Sequence, residues 1–171
     1  MKKLLAFIFV LLSVLSAFVS CADEPEYENI EYRENGLYFI LPNTMRRKSS
    51  ATSEFYFTNQ NIGVVFSARK LTAEVLESEH MTPGMSAKQY ADKIIERNDF
   101  DKDSIFYTYF ESFDQYNFRY NYGEDGEELF FYVTVIGGTD NLWYVEMYCE
   151  NEVSADYLPM FERWRKTIGT Y

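Results

Sequence analysis

Two short connections constrain this chain more than any other feature. The four-residue turn Gly123-Glu124-Asp125-Gly126 joins the run Phe113 to Tyr122 to the run Glu127 to Ile136, and Gly137-Gly138-Thr139-Asp140 joins that run to Asn141 to Glu150. All three runs are rich in Tyr, Phe, Val and Thr, side chains that fit a pleated, half-buried surface. A parallel neighbour needs a crossover of a dozen or more residues, so turns this short make the strands antiparallel. Ser104 to Phe110 is predicted to precede them as a further strand, which completes an antiparallel meander.

The N-terminal half carries the same pattern. Leu37, Phe39 and Leu41 alternate with Tyr38 and Ile40 until Pro42 and Asn43 end the run, and Ser53 to Asn59 and Ile62 to Leu71 read as a hairpin across Asn59-Gln60-Asn61. After Leu71 the period becomes helical. Thr72 is placed to cap a short helix, with Leu71 and Leu76 as a hydrophobic staple and Thr82-Pro83-Gly84 as the stop. Ser86 and Gln89 have capping-box spacing, and Ala87, Tyr90, Ala91, Ile94 and Ile95 form one apolar stripe opposite Lys88, Asp92, Lys93 and Glu96. Helical spacing returns at Tyr157, Leu158, Met160, Phe161, Trp164 and Ile168. Proline is tolerated in a first helical turn, so Pro159 predicts Asp156 as the N-cap rather than Ser154, with Arg163, Arg165 and Lys166 near the C-terminal end and Gly169 closing the helix.

The order of these elements, from Gly36-Leu37-Tyr38-Phe39-Ile40-Leu41-Pro42 through a hairpin, a helix after a Pro-Gly turn, an aromatic meander and an amphipathic last helix, resembles the PsbP-like superfamily over residues 36 to 168. That group includes extrinsic photosystem subunits, a Ran-binding import factor and bacterial lipoproteins of unknown role. The resemblance implies an α+β fold, an α/β/α sandwich whose antiparallel sheet of about six to seven strands is covered by helices. It implies little about function, because one fold carries unrelated roles.

At the N-terminus, Met1, Lys2 and Lys3 are followed by a run from Leu4 to Val19 that holds only apolar residues and serines. This is the pattern of a secretory signal over residues 1 to 20, and it is shorter than the roughly 20 residues of a bilayer-spanning helix. Phe18-Val19-Ser20-Cys21 resembles the lipobox of bacterial lipoproteins, with Phe18 where that family usually has leucine. The resemblance implies that Cys21 is acylated and becomes the anchored N-terminus. Cleavage after Ala22 and simple secretion is the alternative. The acidic segment 22 to 31, with Pro25, reads as a tether, and residues 32 to 171 as one domain. Cys149 lies among Trp143, Val145 and Met147 on the apolar side of a strand, where a cysteine acts as a small hydrophobe.

The chain carries 16 Lys and Arg against 27 Asp and Glu, a formal net charge of −11. Such a surface repels phosphate, which excludes nucleic acid as a partner. Arg46, Arg47 and Lys48 form a local basic cluster, predicted as a solvated loop, with contact to an anionic headgroup or acidic polymer as the alternative. Asp99, Asp101 and Asp103 have the alternation that opens an EF-hand loop. Ser104 replaces the required glycine and Phe110 the bidentate twelfth ligand, so a polar turn without metal is expected. His80 is the only histidine, and no G-x-S-x-G or P-loop is present. No cofactor is expected.

Tyr144, Glu146, Tyr148 and Glu150 face away from the core side of their strand. Tyr144 and Tyr148 would suit a peptide or glycan, since tyrosine combines contact area with a polar end; helices covering this face are the structural alternative, which the sandwich favours. The expected class is therefore a lipid-anchored, extracytoplasmic binding or accessory protein with an envelope protein or polymer as partner. An envelope hydrolase acting on a glycan or peptide through paired carboxylates is the alternative.

Overall fold

A computed structural model describes residues 28–98, 100, 105–124 and 127–171; the leader, Cys21, Asp99, Asp101 and Asp103 lie outside them. The chain enters through a hairpin of β1 (Asn29–Glu34) and β2 (Leu37–Pro42). Its two-residue turn, Asn35-Gly36, has φ of 56° and 90°, the left-handed pair that a hairpin turn of this length demands and that Asn-Gly supplies. β10 (Gly169–Thr170) pairs with the free side of β2, giving a small sheet of order β1-β2-β10.

The main sheet contains β3 (Arg46–Arg47), β4 (Phe55–Asn59), β5 (Val64–Leu71), β6 (Phe106–Phe110), β7 (Gln115–Glu124), β8 (Glu127–Gly137) and β9 (Leu142–Glu150). Its order is β3-β4-β5-β9-β8-β7-β6 and every pairing is antiparallel. The meander thus joins the first hairpin through β5 and β9. α3 (Ser154–Arg165) and the small sheet cover one face, where Phe39, Phe55, Phe57, Phe66, Trp143, Met147 and Phe161 are buried together. α1 (Ala73–Ser78) and α2 (Ala87–Arg97) cover the other, over Leu71, Phe118, Val133, Val135 and Leu142. The result is the expected α+β sandwich.

Local signals account for both helices of the second face. The Thr72 hydroxyl accepts from the Val75 N–H, and both bonds of the Ser86–Gln89 capping box are formed. A second acceptor reaches α2 from outside, because the Asp114 carboxylate takes the Ala87 N–H at 3.0 and 3.1 Å.

Five expectations need correction. The strand Leu37 to Leu41 belongs to the separate small sheet, where its apolar residues pack onto the main sheet instead of extending it. The tether expected over 22 to 31 gives way to β1 at Asn29, a strand held by backbone pairing although most of its side chains are exposed. Arg46 and Arg47 are a short edge strand paired with Thr58 and Phe57, not a loop. Finally, α3 starts at Ser154, because a 3-10 turn at Asn151–Val153, anchored by Asn151 on Glu128, feeds helical backbone straight into it. Pro159 therefore lies inside the helix, where its missing N–H forfeits one bond to the carbonyl four residues back. Gly169 does not close that helix. It pairs with Tyr38, and a Cβ there would lie 2.3 Å from the Tyr38 ring.

Candidate functional site

Strand alternation brings one set of polar side chains to the face that α2 covers. Directly paired residues share a face, so Ser67 stands beside Glu146, Arg69 beside Tyr144, and Val65 beside Tyr148. Tyr120 on β7 joins them through Phe131 on β8. α2 has 11 residues, roughly 16 Å of helix, whereas the 11 residues of β8 extend roughly 37 Å. The helix covers one end of the face and leaves the other open.

A cleft of about 480 Å³ results, within the usual range of ligand pockets. Tyr90, Ile94 and Asn98, at helical spacing on α2, form one wall with Phe100; Thr52 and Ser53 form the opposite side; Ser67, Arg69, Tyr120, Tyr122, Tyr144 and Glu146 line the sheet side. At one end Arg69 is tightly held. Its Nη1 donates to Glu79 at 2.7 Å and its Nη2 to the Tyr90 hydroxyl at 3.2 Å, while that hydroxyl donates to Glu79 at 3.1 Å. Ser53 and Ser67 bond to each other at 2.9 Å.

Burial dominates the titration of these groups. It pushes the Tyr90, Tyr120 and Tyr144 phenols well above the ordinary tyrosine value, with Glu146 adding to the last two. Burial also raises the Glu146 carboxyl, and this outweighs the opposing hydrogen bond from Tyr144 and the field of Arg69. The cleft therefore presents neutral hydroxyls around one carboxyl group.

Of the residues singled out from the sequence, Tyr144 lies in this cleft, part-buried, with its ring 6.0 Å from that of Tyr90 and the Arg69 guanidinium over it at 5.8 Å. Tyr148 is on the same face but outside the lining; its hydroxyl is 3.3 Å from that of Tyr56 and its ring packs on Phe131. The basic cluster is split by its own alternation. Arg46 follows the row through Thr58 and Val65 to Tyr148, three strand steps or roughly 14 Å away. Arg47 faces the other core, ion-paired to Glu34 at 3.0 Å and lying over the Phe55 ring. Lys48 is exposed beside Arg46 on a shallow edge depression of about 200 Å³. The tyrosines and the basic cluster are thus separate places.

His80 is exposed at the end of α1 and outside the cleft. Cys149 is buried, and burial pushes its thiol up to about 11, as befits a core cysteine. A second concavity, about 600 Å³, lies between α1 and the Gly137–Gly138 turn; of its two carboxylates, Asp114 is engaged in capping α2 and Asp140 lies in the turn itself. Arg69 and Tyr90 are site residues that sequence reasoning misses. The alternation of Ser67 with Arg69 is a signal for the first; Tyr90 is indistinguishable from its apolar neighbours on the stripe.

The chain superposes on the cyanobacterial PsbP of Synechocystis with a TM-score of 0.57 at 12% identity, covering 89% of this chain and 98% of that one. The fold is that of PsbP. The same PsbP-like architecture aligns with the Ran-binding protein Mog1p of Saccharomyces cerevisiae (TM-score 0.53, 8% identity, 85% of this chain and 96% of that one). It also aligns with a Bacteroides thetaiotaomicron protein (TM-score 0.52, 14% identity, 82% of this chain and 48% of that one). No protein-family model matches the sequence, and no curated protein does so either. At these identities the likeness is one of fold.

Proposed function

We propose that this protein is a lipid-anchored binding module of the bacterial cell envelope that holds its ligand or partner in the cleft over β5, β7 and β9. The open cleft beside α2 is the observation that carries this reading, because polar and aromatic groups converge there on a space of ligand size. The leader and Phe18-Val19-Ser20-Cys21 support export and anchoring. A binding role in this cleft is favoured over hydrolysis, because Glu146 is the one carboxylic acid among the described residues that line it, whereas a glycosidase needs two that face each other.

Two measurements test the proposal. Labelling with a fatty-acid probe should mark the wild-type chain, and Cys21→Ser should release it from the membrane fraction. A photo-crosslinking residue at Asn98, on the cleft wall, should capture an envelope component that the same residue at exposed Glu31 on β1 does not. Equal capture at both positions would defeat the assignment of the cleft.

A further inference from the structure

Two charged side chains line the cleft among the described residues, Arg69 and Glu146, and their situations differ. Arg69 sits in a closed triangle with Glu79 and Tyr90, so its charge is matched by a carboxylate 2.7 Å away. Among the described residues Glu146 forms no ion pair; its partner is the neutral Tyr144 hydroxyl, and Arg69 reaches it as a field without a hydrogen bond. A carboxylate withdrawn from water is costly unless a cation stands beside it.

We propose that the ligand brings that cation: the cleft takes a primary ammonium group, which donates to Glu146 and to the hydroxyl oxygens of Tyr120 and Tyr144. The rings themselves argue against a cage for a quaternary ammonium. Tyr120 is stacked between Phe100 at 4.3 Å and Phe131 at 4.8 Å, and the Arg69 guanidinium lies over Tyr144. Both faces of Tyr120 and one of Tyr144 are therefore engaged, which leaves the hydroxyls of these two rings as what they offer a cation. A net charge of −11 adds a long-range attraction for cations. About 480 Å³ exceeds one ammonium group, so there is room for its carrier, either a free alkylamine or a lysine side chain, which share this chemistry.

The raised carboxyl of Glu146 gives the binding a pH signature. A bound ammonium stabilises the charged form, so the complex lowers the Glu146 pKa and affinity falls as pH drops through the carboxyl's value in the free protein.

This inference rests on the cleft being the ligand site, and the experiment separates the two. The full chain in uncharged detergent is titrated calorimetrically with n-butylammonium, n-butanol, tetramethylammonium, Nα-acetyl-lysine amide and a neutral chito-oligosaccharide, alongside Glu146→Gln and the cleft-filling Asn98→Trp. The expected result is that primary ammonium probes bind at least about tenfold more tightly than butanol, as a charge-assisted hydrogen bond requires. Glu146→Gln and Asn98→Trp should each remove that preference. Tighter binding of the lysine probe assigns the source to a partner's side chain, and tighter binding of butylammonium to a free amine. Carbon-detected titration of the Glu146 carboxyl with and without butylammonium checks the same contact in the wild-type chain. Ammonium affinity unchanged in Glu146→Gln, parity with butanol, or preference for tetramethylammonium overturns the inference. Should the oligosaccharide alone bind, and Asn98→Trp abolish it, the ammonium inference fails while the cleft reading stands. If no probe distinguishes wild type from Asn98→Trp, both fail.

Discussion

Replacing Tyr90 by Phe removes one oxygen from the centre of the Arg69–Glu79–Tyr90 triangle and leaves a ring that is fully buried in its present place. Each lost bond goes to a charged partner, and such bonds contribute about 1.5 to 3 kcal/mol apiece. The full sum is not expected. Arg69 and Glu79 keep each other at 2.7 Å, and with side chains 33% and 19% exposed they recover part of the loss from water. The expected cost is about 1 to 2 kcal/mol, or a melting midpoint lower by about 3 to 6 °C for a domain of this size. Urea unfolding should show a lower midpoint at unchanged slope, since the same surface is exposed. A cycle with Glu79→Gln should give a coupling of about 1 kcal/mol, as for groups sharing one network. A Tyr90→Phe variant within about 0.5 kcal/mol of wild type would refute the triangle.

Glu146→Gln should stabilise the protein at neutral pH. A carboxyl whose folded pKa is raised stabilises the fold fully below its unfolded pKa and loses that contribution as pH rises through the folded value, so denaturation midpoints of variant and wild type should converge in acid. Trp143→Ala, in the middle of the core between the main sheet and α3, should cost about 3 to 5 kcal/mol by urea denaturation. Gly169→Ala puts a Cβ 2.3 Å from the Tyr38 ring and should cost about 1 to 3 kcal/mol, and Tyr38→Ala in the same chain should restore most of it if that clash is the cause.

Much of this fold is written locally. Ser86 and Gln89 fix the start of α2, Thr72 that of α1, and the short turns after Glu124 and Gly137 force the meander. The small sheet is written far less clearly. Asn35-Gly36 is a strong hairpin signal, yet Asn29 to Glu34 offer only Ile30 and Tyr32 as an apolar alternation amid charged residues, and Tyr32 alone packs inward. β10 is two residues long, too short for any period. For the site, alternation along β9 places Tyr144 and Glu146 on the second face. That Arg69 and Tyr90 meet there depends on β5–β9 register and on a helix shorter than the sheet it crosses, and neither is a property of any one segment.

β2 is completed from the far end of the chain: the Ile40 N–H donates to Thr167 across 127 residues, Gly169 and Thr170 pair with Tyr38 and Leu37, and the Tyr171 N–H reaches the Gly36 carbonyl. A nascent chain presents β2 early and can complete its outer edge only once residues 167 to 171 have emerged. Loop closure over such a span is paid before any contact rewards it, so the final docking step is slow relative to the local meander. During that interval the outer edge of β2 keeps unpaired backbone groups. An open strand edge is a template for pairing with another chain, so these C-terminal residues guard β2 against self-association as well as completing its sheet.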